Sequence, residues 1–162
     1  FASSTASAAS FATLTPPPQP TQVVLPQLPV FDKDGNNMDG KALGTALAKT
    51  YLSFQVIVCS PDCKNKPDGN GVTSVDFAFY KGTTKSRNAL NGKSPVYKTT
   101  EHNRPYCAFG GDDPCPLWIF AERNSKWPNG ATIDNGDYTL LVKASGNNNG
   151  LWTSVLNFTI QR

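Results

Sequence analysis

The sequence predicts an all-β fold: an antiparallel β-sandwich of about seven strands, preceded by an extended N-terminal arm. Two observations lead to this prediction. The chain of 162 residues contains 13 Gly and 13 Pro but only 17% charged residues, a composition typical of short strands joined by turns. Several segments also alternate apolar and polar side chains, and clusters of Gly, Asn, Asp and Pro separate them.

Residues 1–21 form the predicted N-terminal arm, and residues 22–162 form the predicted β-sandwich domain. The arm has no charged side chain, and its large apolar residues are Phe1, Phe11 and Leu14. Its Pro-rich end favours a semi-rigid polyproline II spacer. Such a segment cannot bury enough apolar surface on its own domain to offset its ordering entropy. We therefore expect the arm to lie against another copy of the chain.

The signals between the arm and the first clear strand are weaker. Residues 23–31 alternate apolar residues with Pro26 and Pro29, which predicts an edge strand because proline cannot donate a ladder hydrogen bond. Residues 32–40 predict a turn or loop. Residues 41–49 predict a short helix.

From residue 50 onward the strand pattern is strong, and it accounts for the predicted number of strands. Two short candidates lie at residues 95–100 and 105–109. The longer strands are marked by same-face residues: Leu52, Phe54, Val56 and Val58; Val75, Phe77 and Phe79; Leu117, Ile119 and Ala121; Tyr138, Leu140, Val142 and Ala144; Trp152, Ser154, Leu156, Phe158 and Ile160.

Three segments of the region 50–162 carry a more specific pattern: residues 72–82, residues 104–106, and the run Gly-Asp-Tyr-Thr-Leu-Leu-Val-Lys-Ala at 136–144. This pattern resembles the immunoglobulin-like (Ig-like) modules of extracellular and cell-surface proteins. The resemblance implies an Ig-like sandwich in which the hydroxyl of Tyr138 bonds back to nearby backbone as a tyrosine corner. The Cys…Trp…Cys spacing of antibody domains is missing. Such modules serve as spacers, adhesins, carbohydrate-binding domains or filament subunits, and the fold alone does not choose among these roles.

The four cysteines fall into two local pairs, Cys59 with Cys63 and Cys107 with Cys115. Four cysteines allow three connectivities, and nearest-neighbour pairing would cross-link two turns. Structural zinc sites usually use tighter Cys-x2-Cys knuckles, whereas three and seven residues intervene here, so we favour disulfides over a metal. Disulfides indicate an oxidising compartment, and hence a secreted, extracellular or cell-surface protein.

Candidate glycosylation sites agree with export. Asn157 begins an Asn-Phe-Thr triplet, the acceptor pattern for N-linked glycans. Candidates for O-linked glycans form or flank the Pro-rich hinge: Thr15, Pro16, Pro17, Pro18 and Thr21.

Composition also bears on membranes and nucleic acids. No apolar run approaches the length of about 20 residues that spans a bilayer. The N-terminus lacks the basic start and apolar centre of a signal peptide, so we expect an exported protein to be represented here in its mature form. The net charge is +3, and its 15 basic residues are spread along the chain rather than gathered into a stripe, so we expect no nucleic-acid partner.

No motif in the sequence predicts an enzyme. The single histidine, His102, follows Glu101, and neither a Gly-x-Ser-x-Gly elbow nor a His-Glu-x-x-His zinc motif is present. Two carboxylates that meet in space would serve a glycosidase, but only two of the twelve acidic residues are Glu. We rank a secreted hydrolase last and expect no cofactor.

The loop Asp32–Asp39 groups side-chain oxygens of the kind that bind calcium. However, Asn37 and Leu43 stand where an EF-hand loop has Gly and Glu. We therefore favour a polar turn over a calcium site, and we predict no metal.

Aromatic residues supply the candidates for a ligand surface. Trp118 has the parity opposite to Leu117 and Ile119, and Trp127 lies in a turn, so we expect both to face outward. Exposed aromatic rings stack on sugars or mark protein interfaces. We expect Trp152 in the core.

These observations favour a structural subunit of an extracellular filament or surface assembly, whose partners are copies of itself. The arm would dock on a neighbouring copy as a donated strand, with Phe1, Phe11 and Leu14 in pockets that fix its register. The alternative is a carbohydrate-binding or adhesive Ig-like module that binds glycans through Trp118 and Trp127.

Overall fold

The computed structural model describes residues 30–32, 37–38, 40–43, 47–58, 69–84, 86–146 and 151–162. Side chains are described for residues 47–58, 69–84, 86–146 and 153–162. The predicted arm, with its apolar and glycosylation candidates, lies outside the described residues, as do Cys59, Cys63 and the side chains of the Asp32–Asp39 loop and of Trp152.

Within the described residues the chain forms β-strands and one short 3-10 helix, Arg87–Leu90, so the all-β prediction is confirmed. The strands are β1 (Val30–Asp32), β2 (Asn37–Met38), β3 (Gly40–Leu43), β4 (Leu47–Ala48), β5 (Tyr51–Leu52), β6 (Gln55–Val58), β7 (Val72–Lys81), β8 (Tyr97–Glu101), β9 (Tyr106–Cys107), β10 (Trp118–Ile119), β11 (Gly136–Gly146) and β12 (Leu151–Ile160).

The strands form three sheets. The main sheet has seven strands in the order β2-β1-β12-β11-β7-β8, and β4 also pairs with β12. A second sheet has the order β3-β6-β9, and a third joins β10 to β5. Among the described strands, β4 and β12 are the one parallel pair, with Leu47 opposite Thr159 and Ala48 opposite Ile160. The main sheet is therefore mixed rather than purely antiparallel as predicted.

The long strands β7, β11 and β12 form where the sequence alternates most clearly. Successive side chains of a strand point to opposite faces of the sheet. On β7 the inward residues Val75, Phe77 and Phe79 are fully buried, and the residues between them are half-buried. Every inward side chain from Tyr138 to Ala144 on β11 is also buried. Together they give the main sheet an apolar inner face.

An aromatic cluster fills the core under this inner face, and Phe79 lies at its centre. The ring of Phe79 has five other rings within 5.1–6.2 Å of its centroid, namely those of Phe54, Tyr97, Phe109, Trp127 and Phe158. Aromatic pairs at such distances add about 0.5–1.5 kcal/mol each beyond the burial of their area. The cluster therefore joins strands of the main sheet to the loops that cover it.

The prediction of a short helix at residues 41–49 was wrong. The predicted helix at residues 41–49 is replaced by β3 and β4, because pairing with β6 and β12 supplies the backbone hydrogen bonds that a helix would have made. The 3-10 helix lies elsewhere, at Arg87–Leu90. The hydroxyl of Ser86 caps it by accepting a bond from the N–H of Asn88, and its last residue, Leu90, is buried.

Tyr138 fixes the loop that leads into β11. Its hydroxyl donates to the carbonyl of Asp134 at 2.9 Å and accepts from the N–H of the same residue at 3.2 Å. Burial raises the pKa of Tyr138 above its usual value. The Asp134 carboxylate pairs with Lys81 on β7. The bond from the Tyr138 hydroxyl to nearby backbone, which the resemblance to Ig-like modules implies, is therefore present.

Replacing Tyr138 with Phe should lower the free energy of unfolding by about 1–3 kcal/mol, because the N–H and C=O of Asp134 lose their partner while the ring stays in place. Urea denaturation measures this loss. Tyr80→Phe is the matched control: the hydroxyl of Tyr80 forms no hydrogen bond within the described residues, and we expect a change within about 0.5 kcal/mol. Equal losses in the two variants would contradict the role of the Tyr138 hydroxyl.

Stability should also fall as the pH rises above about 10, the pKa of an unperturbed tyrosine. Above this pH the unfolded state releases its tyrosine protons, whereas burial raises the pKa of Tyr138 and of Tyr97, so that the folded state holds these protons to higher pH. The unfolded state then binds fewer protons, so the free energy of unfolding decreases with pH. Urea midpoints across the alkaline range should decline less steeply in Tyr138→Phe; an equally steep decline would show that Tyr138 does not contribute.

Candidate functional site

The cysteine pair Cys107 and Cys115 forms a disulfide, with a Cα–Cα separation of 5.4 Å. Cys107 lies on β9 and is buried, and the N–H of the next residue, Ala108, donates to the carbonyl of Phe54. The disulfide thus closes a surface loop at the edge of the second sheet. This loop carries Phe109, which reaches into the aromatic cluster.

Trp118 is half-buried and is not an open platform. Its ring stacks on Phe109 with centroids 5.2 Å apart, and the guanidinium of Arg123 lies 4.7 Å from its centroid. Its Nε1–H donates to the carbonyl of Lys126 at 2.9 Å. A sugar that stacked on the face under Arg123 would have to displace that side chain, so the indole is engaged within its own domain.

The prediction that Trp127 faces outward is wrong, because the structure places its side chain in the core. It is 2% exposed and contacts the rings of Phe79, Tyr97 and Tyr138. The sequence correctly places its backbone in a turn, where the N–H of Gly130 donates to its carbonyl at 2.8 Å. The side chain points inward from this turn because it packs against the aromatic rings of the core. Trp127 therefore offers no face to a ligand.

The sequon residue Asn157 lies on the outer side of β12 and joins three parts of the fold. Its Nδ2 donates to the carbonyl of Thr84 at 2.9 Å, and its Oδ1 accepts from the N–H of Thr84 at 3.1 Å. The hydroxyl of Thr139 on β11 lies 2.7 Å from the same Oδ1. Asn157 thus ties the segment that follows β7 to the main sheet, whatever modification it carries.

The outer face of the main sheet contains a hollow that the sequence analysis did not predict. On β7, Ala78 lies opposite Lys98 of β8 on one side and Leu141 of β11 on the other. Its neighbours on the same face are larger, so the small Ala78 side chain leaves a depression between them. This hollow has a volume of about 510 Å³, and Tyr80 and Lys143 also line it.

A second hollow of about 290 Å³ adjoins the first, since Tyr80, Leu141 and Lys143 line both. Its far wall is the 3-10 helix Arg87–Leu90, together with Thr153 of β12. The Arg87 guanidinium donates to the hydroxyl of Thr153 at 3.4 Å. We call the two hollows together the outer-face groove. It runs across the sheet from β8 to β12.

The charged residues of the outer-face groove are mainly cationic. Lys98, Lys143 and Arg87 line it and are exposed, and Asp76 is the one carboxylate among its described lining residues. The Oδ1 of Asp76 accepts a 2.6 Å bond from the hydroxyl of Thr100. Neither lysine forms an ion pair with a carboxylate in the part of the chain whose side chains are described. The groove therefore presents net positive charge, from three cations against one carboxylate, and that carboxylate of Asp76 lies opposite Lys143 in the strand register.

β8 forms one edge of the main sheet. It pairs with β7 on one side, and none of the described strands pairs with its other side. Burial raises the pKa of Glu101 at its end. An edge strand of this kind presents backbone N–H and C=O groups that another strand can bind.

The described side chains bear on two further kinds of site, a metal centre and a membrane span. No group of three or more His, Cys, Asp or Glu there could hold a metal ion. Within the same residues, no helix has the length and apolar character needed to cross a membrane.

Comparisons with protein-family models, curated proteins and solved structures found no match for this chain.

Sequence reasoning missed the outer-face groove because its lining comes from five separate segments whose neighbours are set by strand pairing. A signal was nevertheless present. Ala78 lies between Asp76 and Tyr80 on the polar parity of β7, and a small residue among larger ones on one face marks a depression. The positions of Lys98 and Lys143 beside it required the strand register.

Replacing Asn157 with Ala should lower the free energy of unfolding by about 2 kcal/mol, because it removes the hydrogen bonds to Thr84 and Thr139. Thr159→Val is the matched control, since it also destroys the sequon but keeps these bonds and a β-branched side chain; we expect a loss below about 1 kcal/mol. Urea denaturation of both variants compares them. Equal losses would assign the effect to a missing glycan instead of the contacts of Asn157.

Proposed function

We propose that this chain is a structural subunit of an extracellular filament or surface assembly, in which the N-terminal arm of one copy adds as a strand to the sheet of the next. The observation that carries this proposal is the outer edge of β8, for which the described residues provide no strand partner. The same chain contains an uncharged arm of low complexity that its own domain has no evident means to order.

Strand addition suits both the edge of β8 and the N-terminal arm. An extended segment that adds to a sheet edge gains main-chain hydrogen bonds, and its alternate side chains provide specificity. At about 3.3 Å per residue, the first fourteen residues of the arm would extend roughly 45 Å, well beyond the length of the five-residue β8. The Pro-rich hinge would then act as a spacer between subunits. Such a head-to-tail contact produces a fibre unless the rotation between subunits closes a ring.

We further propose that the domain is Ig-like. The order β12-β11-β7-β8 matches the G-F-C-C′ order of a variable-type immunoglobulin sheet, and β3-β6-β9 matches the A-B-E order of the opposite sheet. Tyr138, near the start of β11, occupies the place of the tyrosine-corner residue on strand F. The place of the buried Trp on strand C is taken by Phe77 and Phe79 on β7. Because of this departure, the likeness to antibody domains that we propose is one of architecture alone.

An extracellular location is part of the proposal. The disulfide between Cys107 and Cys115 is compatible with an oxidising compartment. Assembly through an arm requires no catalytic residue, cofactor or metal.

Deleting residues 1–20 should yield a folded monomer that forms no filaments, whereas the full chain should form filaments visible by electron microscopy. A full-length variant with Phe1, Phe11 and Leu14 replaced by Ser keeps the length of the arm and tests its apolar contacts; it should also fail to assemble. Filaments from the truncated protein would show that the arm is not the polymerising element. Monodisperse particles in all samples would overturn the assembly proposal.

The same deletion identifies the acceptor edge. A synthetic peptide of residues 1–20, added to the truncated protein, should slow hydrogen exchange at the β8 amides and leave those of β11 unchanged, because β11 is paired on both sides. The peptide with the three Ser replacements serves as the control. Protection at another strand instead of β8 would show that the arm adds elsewhere.

A further inference from the structure

We propose that the outer-face groove binds an acidic polysaccharide, that is, a sugar chain carrying carboxylate or sulfate groups. This inference concerns a different surface from the edge of β8, and it does not depend on assembly through the arm. Four properties of the groove support it: the arrangement of its cations, the chemistry of its floor, the hydrogen bonding of the backbone beneath it, and its aromatic content.

The cations are distributed along the groove and not gathered at one point. Lys98 lies on β8 and Lys143 on β11, with β7 between them. Since neighbouring strands lie about 4.8 Å apart, their backbones are separated by roughly 10 Å across the sheet. Arg87 stands at the opposite wall, beyond Lys143. Cations spaced in this way match the repeated charges of a polyanion better than a single compact anion, and each can form charge-assisted hydrogen bonds.

The floor of the groove suits a sugar ring. Tyr80 is half-buried and lines both hollows, so its ring offers a surface to the C–H face of a sugar, and the buried Leu141 lies beside it. Hydroxyl and amide groups surround this surface, among them those of Thr100, Asn88 and Thr153. Binding sites for small organic groups combine an apolar floor with a few polar groups that fix orientation in the same way.

The backbone beneath the groove disfavours an acidic peptide. β7 and β11 pair with strands on both sides, so their N–H and C=O groups are already hydrogen-bonded. A peptide laid across the face would find no ladder to join and would leave its own main-chain groups unpaired. A polysaccharide has no such requirement, because its hydroxyls can bond to side chains.

The aromatic content of the groove disfavours a nucleic acid. Proteins that bind single strands stack successive bases on several aromatic rings. Tyr80 is the one aromatic ring on the outer side of the sheet among the described lining residues; Phe77 faces the core. We therefore favour the acidic polysaccharide over both other classes of polyanion.

The test measures binding of the full chain to immobilised heparin, polygalacturonate and neutral dextran at increasing salt. We expect salt-sensitive binding to heparin, to polygalacturonate or to both, and none to dextran. The double variant Lys98→Gln, Lys143→Gln should lose roughly tenfold in affinity. The matched control is Lys49→Gln, Lys126→Gln, which removes the same charge from exposed positions outside the groove and should change affinity by less than about twofold.

Two further measurements separate the ligand classes. Tyr80→Ala should weaken binding to the acidic polysaccharide but not adsorption to polyglutamate, because only the sugar uses the ring. Tighter binding to polyglutamate or to single-stranded RNA than to either acidic polysaccharide would overturn the proposal. Equal losses of affinity in the two lysine variants would also overturn it, because they would show that binding depends only on the net charge of the protein. The absence of binding to both acidic polysaccharides would overturn it as well.

Discussion

The rest of the structure depends on the pairing of β11 with strands on both of its sides. It pairs with β12 over ten residues and with β7 over nine. Its run from Tyr138 to Val142 is buried on both faces, which is why this segment is almost continuously apolar and differs from a simple alternation. The position of β11 fixes the register of β7 and β12. That register in turn decides which side chains face the core and which face outward.

The two faces of the main sheet have different roles because they are filled differently. Phe77 and Phe79 of β7 enter the aromatic core, where close packing leaves little freedom to substitute them. The alternate residues Ala78 and Tyr80 face outward and shape the outer-face groove. The inward residues of β7 thus stabilise the core, and its outward residues offer a binding surface. The proposed assembly contact uses neither face, since it lies at the edge of β8.

Polar contacts hold the segments at the ends of these strands. Tyr138 fixes the backbone at Asp134, and Asn157 fixes the backbone at Thr84. The second contact bears on the groove, because the 3-10 helix that forms the groove wall begins shortly after Thr84. Arg87 of that helix reaches back to Thr153 on β12. The sequon residue Asn157 therefore helps to position the wall of a proposed binding site some distance along the chain.

The sequence by itself determined the features that depend on near neighbours. Alternation predicted β7, β11 and β12, and short spacing favoured the link between Cys107 and Cys115. The resemblance of residues 136–144 to a strand of Ig-like modules implied the backbone contact of Tyr138. Tertiary structure alone decided the rest. It turned Trp127 into the core, paired β4 parallel to β12, and brought Lys98 and Lys143 into one groove, opposite Ala78 and Asp76 of β7 respectively. These outcomes depend on which distant strands become neighbours and in what register, and hydrophobic alternation within one segment carries no information about either.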